Sequence, residues 1–408
     1  MRSWTSKAQS SQGQSTASRS ANLKVLGCYV KTNALLAIIA AVVGLWALQI
    51  LFTYLSELED LSDSYTMSDA LRYILYRSPY FLEQFIPTGA LLGAVVGLGL
   101  LANKSELVVM RAAGVSIYRI VGWVLQPALI FVLLALGINQ FVLPHSNQLA
   151  KEINDEDSSS LVTSVRGYWT VQPRFQSTNE GSIGGDAQPD GSDILYIDYA
   201  DVQGNIGTVK RWHLDNDGRL QTAIRAEGGQ YSGRVAAPTA STEPSEQYRY
   251  EWQLNDMTEL TINQGFESSQ TKSASDTLSL PFAPESVYLL TRVAEDLSLT
   301  QLYDHRQLMR QQGNRSLEHE LSFWQKLLSP LSILSLVIVA CSFVFGSLRT
   351  HSLGLRIVVA LLFGLLFSYI QDLVGFVSLA TGFSPLLMVL LPIIGSAILG
   401  GYLLKRQM

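Results

Sequence analysis

Charge is scarce in this chain. Asp, Glu, Lys and Arg make up 15% of its 408 residues, against about a quarter in soluble domains. Cysteine is nearly absent: Cys28 and Cys341 lie in or beside apolar runs and the polar middle has none. A disulfide framework is therefore excluded there. The five histidines, His145, His213, His305, His319 and His351, are scattered and form no HExxH or paired-histidine helix face. No phosphate loop of the GxxxxGKS/T kind occurs, so the chain cannot hold ATP by that route. Gly181-Ser182-Ile183-Gly184 lacks the glycine two places before the serine that a nucleophile elbow requires. Acid pairs such as Glu57/Glu59 and Asp155/Glu156 read as solvated surface, not as general acid and base. No catalytic residue and no metal site is assigned.

What is present is apolar and unevenly placed. Uncharged runs occupy residues 33–54, 85–102, 120–144, 327–348, 357–371 and 373–404. A bilayer core of about 30 Å takes roughly 20 helical residues, so the second run is extended back toward Pro79 and the fifth back to Leu353. Thr381-Gly382-Phe383-Ser384-Pro385 breaks the last run, and the final span starts near Pro385. Six transmembrane helices follow, three on each side of a polar insertion. With the N-terminus in the cytoplasm, that side receives Arg2, Lys7, Arg19, Lys24, Lys31, Lys104, Arg111, Arg119, Arg349, Arg356, Lys405 and Arg406 against the single acid Glu106. This is the basic bias that places both termini inside and the insertion outside. Residues 1–22, rich in Ser and Gln and free of acids, read as a disordered cytoplasmic tail. Gly89, Gly93 and Gly97 repeat every four residues and predict close helix packing within the chain rather than a moving gate.

From 145 to 300 the pattern becomes that of strands. Residues 167–171, 194–199, 208–214 and 248–254 are β-branched and aromatic with partial alternation, and Asp215-Asn216-Asp217-Gly218 marks a turn between two strands. Short strands at this spacing predict an all-β domain, either an antiparallel sandwich or an open, jelly-roll-like fold. Residues 177–192 and 236–247 read as loose loops, and 297–326 as a helix leading back to the membrane. The expected organisation is a tail over 1–22, transmembrane helices 1–3 over 23–144, the β domain over 145–300, and a connecting helix with transmembrane helices 4–6 over 301–408.

Between the second and third spans stands Ser105-Glu106-Leu107-Val108-Val109-Met110-Arg111-Ala112-Ala113-Gly114. Ser105 is placed to cap a short helix starting at Glu106, Leu107, Met110 and Ala113 to form its apolar face, and Gly114 to end it. This segment closely resembles the coupling segment of the LptF/LptG family, the permease subunits of the lipopolysaccharide-exporting ABC transporter. Phe323-Trp324-Gln325-Lys326-Leu327-Leu328-Ser329-Pro330 resembles the family's approach to the fourth helix. Phe343-Val344-Phe345-Gly346-Ser347-Leu348-Arg349 with Gly354-Leu355-Arg356 resembles the loop that follows it. The resemblance spans residues 23–406 and is weakest in the insertion.

The resemblance implies a permease half of the bacterial inner membrane with a periplasmic β domain. Its implied partners are an LptF-like permease, a dimer of LptB-like ATPases that binds the ATP and magnesium, an LptC-like subunit and then an LptA-like bridge. The cargo would be lipopolysaccharide. The helix at 104–114 would dock on the ATPase, with Glu106 as the charged contact and Leu107, Met110 and Arg111 in support. Arg72, Arg77, Arg292 and Lys326, with Lys151 and Arg166, lie near the predicted outer face and are candidate contacts for lipid phosphates. Relatives can carry lysines at the outer end of the first helix, where this chain has Thr53, Glu57, Glu59, Asp60 and Asp63. Three other readings compete, one of them an ion-driven carrier, which would carry charged residues deep in its spans where this chain has none. A lipoprotein-releasing permease would have four spans, and a membrane-anchored periplasmic scaffold would need no coupling helix.

Overall fold

The computed structural model describes residues 4–59, 61, 65–155, 167–175, 189–201, 203–236, 248–262, 268–280, 283–311, 315–346 and 352–407, with only the backbone described for 4–22. The candidates Lys151 and Arg166, the expected loops at 177–188 and 237–247, and part of the 343–349 motif fall outside the described residues or side chains.

The first unit is helical. Its elements are α1 (Trp4–Glu57), α2 (Met67–Asn103), α3 (Glu106–Ala112), α4 (Ile117–Gly137), a π-helical turn (Ile138–Val142), α5 (Leu143–Asp155), and, after the β domain, α8 (Leu317–Phe345), α9 (Leu353–Thr381) and α10 (Pro385–Lys405). Among the described residues, six stretches are long and apolar enough to span a membrane: Leu23–Glu57, Met67–Asn103, Ile117–Asn147, Leu317–Phe345, Leu353–Thr381 and Pro385–Lys405. The helices outrun the uncharged segments at several ends. α1 takes in residues 4–22, read from sequence as a loose tail; no proline occurs before Pro79 to interrupt the backbone. His145, where the sequence placed the start of the β domain, lies inside α5.

The three glycines of α2 pack against α1. A Cβ on Gly93 would overlap the Ile38 backbone, one on Gly89 would reach Val42, and one on Gly97 would lie 3.2 Å from Ala34 Cα. Packing within the chain is thus their structural role, as the four-residue spacing predicts. Hydroxyls and an amide join the last three helices: Ser396 Oγ donates to Ser335 Oγ at 2.9 Å, and Gln371 Nε2 donates to Ser332 Oγ at 3.2 Å. In hydrocarbon such bonds satisfy groups that water cannot reach.

The second unit is a β domain of β1 (Tyr168–Phe175), β2 (Pro189–Ile197), β3 (Asn205–Ile206), β4 (Val209–Leu214), β5 (Leu220–Ala236), β6 (Tyr248–Ile262) and β7 (Ser268–Leu280). Two short helices, α6 (Pro284–Thr291) and α7 (Leu299–Gln311), follow. The strands form one sheet in the order β1-β2-β4-β5-β6-β7 with β3 on β5, and every pairing is antiparallel. Leu195, Ile197, Val209, Ala226, Trp252, Leu254, Met257, Leu278 and Leu280 form its core with Val287 and Tyr288 of α6. The predicted turn after β4 is present, with Gly218 at φ 75° and Asp215 Oδ1 accepting from the Asp217 and Arg219 amides at 2.9 and 2.8 Å.

At one end of the core face Asp193 accepts from Arg211 Nη2 at 2.7 Å and lies 2.5 Å from His213 Nδ1. Burial pushes the Asp193 carboxyl up, but the hydrogen bonds and charges of Arg211 and His213 outweigh it and hold the acid below its ordinary value. A depressed folded-state value means this contribution to stability is complete above the unfolded carboxyl value of about 3.9 and disappears as pH falls through the folded one. Acid unfolding of the β domain below about pH 4 is therefore expected to be shallower in Asp193→Asn than in the parent chain. Tryptophan fluorescence along a pH titration checks this, and parallel acid limbs would refute it.

Candidate functional site: the surface helix between the second and third spans

The α3 segment is short and its anchoring is specific. Leu107 and Met110 are each 4% exposed and belong to the same apolar core as α2, α4 and α8, whereas Val108 and Val109 face outward. Glu106 is half-buried and Arg111 exposed. Glu106 Oε2 is enclosed with no hydrogen-bond partner. A shallow groove beside the helix is lined by Ala102, Leu107, Val108, Arg111, Val344 and Phe345.

The two ends of α3 differ from the sequence reading in one respect and match it in another. Ser105 does precede the helix, but it sits at φ 60°, ψ 7° and its side chain makes no capping bond; its carbonyl instead accepts from the Val108 and Val109 amides. At the other end Gly114, at φ 84°, donates to Arg111 O at 2.9 Å, and Val115 donates to Met110 O at 3.1 Å. That pair of bonds is a Schellman motif, and buried Val115 stands where the motif's apolar contact to Met110 belongs. Ala113, expected on the apolar face, is exposed as the C-cap residue. Gly114→Ala would place a side chain at φ 84° and is expected to cost about 1–2 kcal/mol. Thermal unfolding of the purified chain measures it; an unchanged midpoint would show that the turn relaxes.

The candidate phosphate-binding cations are already engaged. Arg72, largely exposed, lies 3.7 Å from Asp69 on α2. Arg77 stacks over the Tyr80 ring at 4.8 Å. Lys326 of α8 lies within electrostatic reach of Glu83, whose Oε1 accepts from Asn139 Nδ2 at 2.9 Å. Arg292, in the β domain, stacks over Tyr288 at 5.0 Å. The sequence reading extended the second span back toward Pro79, and so past Glu83, but gave this acid no role; α2 carries the helix back to Met67, and Asn139 meets Glu83 from the π-helical turn. It also placed Arg356 in a cytoplasmic loop, but this residue is 3% exposed in the first turn of α9, with Nη1 3.7 Å from where a Gly99 Cβ would stand. Among the described residues no group of three or more His, Cys, Asp or Glu side chains could hold a metal ion.

Six apolar helices among the described residues, one inserted β domain and a short anchored surface helix after the second span define a multi-pass membrane protein. Comparison with known proteins narrows the class. The family model described as lipopolysaccharide export system permease LptF/LptG matches residues 29–406. The chain is 27% identical over 346 residues to the lipopolysaccharide export system permease protein LptG of Escherichia coli strain K12, covering 84% of this chain and 87% of that protein. It is 25% identical over 388 residues to LptG of Haemophilus influenzae strain KW20, covering 94% and 99% respectively. The chain belongs to the LptF/LptG permease family.

Proposed function

We propose that this chain is the LptG-like half of an inner-membrane ABC exporter that extracts lipopolysaccharide or lipooligosaccharide and passes it to a periplasmic β bridge. The α3 helix is the coupling element. It is locked to the membrane core by Leu107, Met110 and the Gly114 turn, while Glu106, Val108, Val109 and Arg111 remain at or near the surface. That combination of a rigid anchor and an open face is the observation that carries the reading, and a scaffold would have no use for it. The ATPase is a separate chain, and a second, LptF-like permease completes the membrane unit.

The physical demand on such a machine is large. Each acyl CH₂ brought into water costs about 0.8 kcal/mol, so acyl chains must leave one apolar enclosure only for another. The uncharged spans supply the first. The β domain, read as a jelly-roll-like half, supplies the second and joins an LptC-like and then an LptA-like domain edge to edge through its outer strands. Arg72, Arg77, Arg292 and Lys326 would exchange their present partners for lipid phosphates.

The test is Glu106→Ala in the reconstituted complex. An isolated charge-assisted contact is worth about 1.5–3 kcal/mol, so ATP-driven lipopolysaccharide release is expected to fall about tenfold or more while α3 stays folded. Full release by the variant would remove Glu106 from the coupling contact, and release that needs no ATPase at all would remove the exporter reading.

A further inference from the structure

The β sheet has a second face, opposite its core, and its side chains are ordered in rows. Paired residues across an antiparallel sheet point the same way. One row reads Trp169, Tyr196, Lys210, Arg225, Thr258, Lys272 across β1, β2, β4, β5, β6 and β7. The neighbouring row reads Val171, Ile194, Trp212, Ala223, Leu260, Gln270. Aromatic rings gather at the β1 end: Trp169 stacks on Trp212 with centroids 5.5 Å apart and planes 5° apart, and it also lies 4.6 Å from Tyr196. Yet Trp169 remains 50% exposed.

The cations are the second observation. Lys210 and Arg225 face each other directly across two strands, an arrangement that like charges disfavour. Of the acids near these rows, Glu227 lies 3.5 Å from Arg225 and Asp198 accepts the Tyr196 hydroxyl at 3.0 Å. Among the described residues neither Lys210 nor Lys272 has a carboxylate within ion-pair distance; Lys210 rests over the Tyr196 ring at 5.5 Å.

The geometry points to a binding platform for a phosphorylated saccharide on this face, with Trp169 and Trp212 as the stacking surface and Lys210, Arg225 and Lys272 as the anion contacts. The CH face of a sugar ring packs on an indole while its hydroxyls stay in water, and a phosphate borne on that sugar relieves the Lys210–Arg225 repulsion. An acyl chain fits worse, because covering this row would strip water from three cations. The proposal rests on the lipopolysaccharide reading: it assigns the cargo's phosphorylated core sugars to the outer face of the sheet.

The probe is the phosphorylated core oligosaccharide freed of its lipid, titrated calorimetrically into the full chain in detergent. Saturable binding is expected, with affinity reduced about tenfold in Trp169→Ala, as for an exposed aromatic anchor. Lys210→Gln, a surface change that leaves the ring stack in place, is expected to weaken binding similarly. Dephosphorylated saccharide should bind poorly, and inorganic phosphate alone should not displace the sugar. No binding to the parent chain, or equal binding by both variants, overturns the platform. The export assay is scored separately. Variants that lose the saccharide while the parent releases lipopolysaccharide uphold both readings. Release without any saccharide binding sinks the platform alone, and binding without release sinks the export reading alone.

Discussion

Gly93→Val is expected to disrupt the contact between the first two spans and to lower the yield of folded protein sharply. At Gly93 the two backbones approach so closely that even a Cβ would overlap Ile38, and the obstruction is main chain rather than the tip of a movable side chain. Overpacking a well-filled interior costs about 1–3 kcal/mol where side chains can yield, and here the helices themselves must separate. The expected loss is at the upper end of that range or beyond it. Gly44, exposed on α1 with nothing within 4 Å of its virtual Cβ, is the internal control, and Gly44→Val should be nearly neutral. Melting of the detergent-purified chain, followed by size-exclusion, compares the two. Equal midpoints would mean that α1 and α2 do not pack through Gly93.

Trp252→Ala is expected to unfold the β domain at temperatures where the parent stays intact. Trp252 is fully buried, lies against Tyr231 at 5.5 Å and donates from Nε1 to Gly204 O at 3.1 Å. Loss of so large a core side chain costs about 3–5 kcal/mol. Trp252→Phe keeps most of the ring and removes the Nε1 donor, while Gly204 O still accepts from the Tyr231 amide at 3.1 Å, so the loss is that of one hydrogen bond, about 0.5–1.5 kcal/mol. The ranking alanine, then phenylalanine, then parent, read from limited proteolysis between residues 167 and 297 of the whole chain, separates packing from the hydrogen bond. Identical proteolysis of Trp252→Phe and parent would show the Gly204 bond to be dispensable.

The membrane helices were legible in the sequence because absence of charge is a direct signature of lipid. Their outer ends were not: residues 67–78 carry Asp69, Arg72 and Arg77, and only the structure shows the helix running through them. Strands with aromatic and β-branched residues, such as Val209–Leu214 and the start of β6, were visible. β5 and β7 were not. Ser268–Leu280 is mostly Ser, Thr and small residues, and its strand state comes from pairing along β6 rather than from its own preference. The surface helix was legible in position and in its buried pair Leu107 and Met110. Its start was misread because Ser105 adopts a left-handed backbone that no local pattern announces. The Glu83–Asn139 bond joins residues 56 apart, and no spacing rule reaches that far.

The Gly114 turn has one further consequence. Because Val115 and Met110 are seated in the same interior as α4 and α8, α3 has no slack with which to absorb a push. On the coupling reading proposed above, a displacement applied at its outward valines would be carried into the helices behind it, whereas a looser turn at residue 114 would let α3 shift on its own.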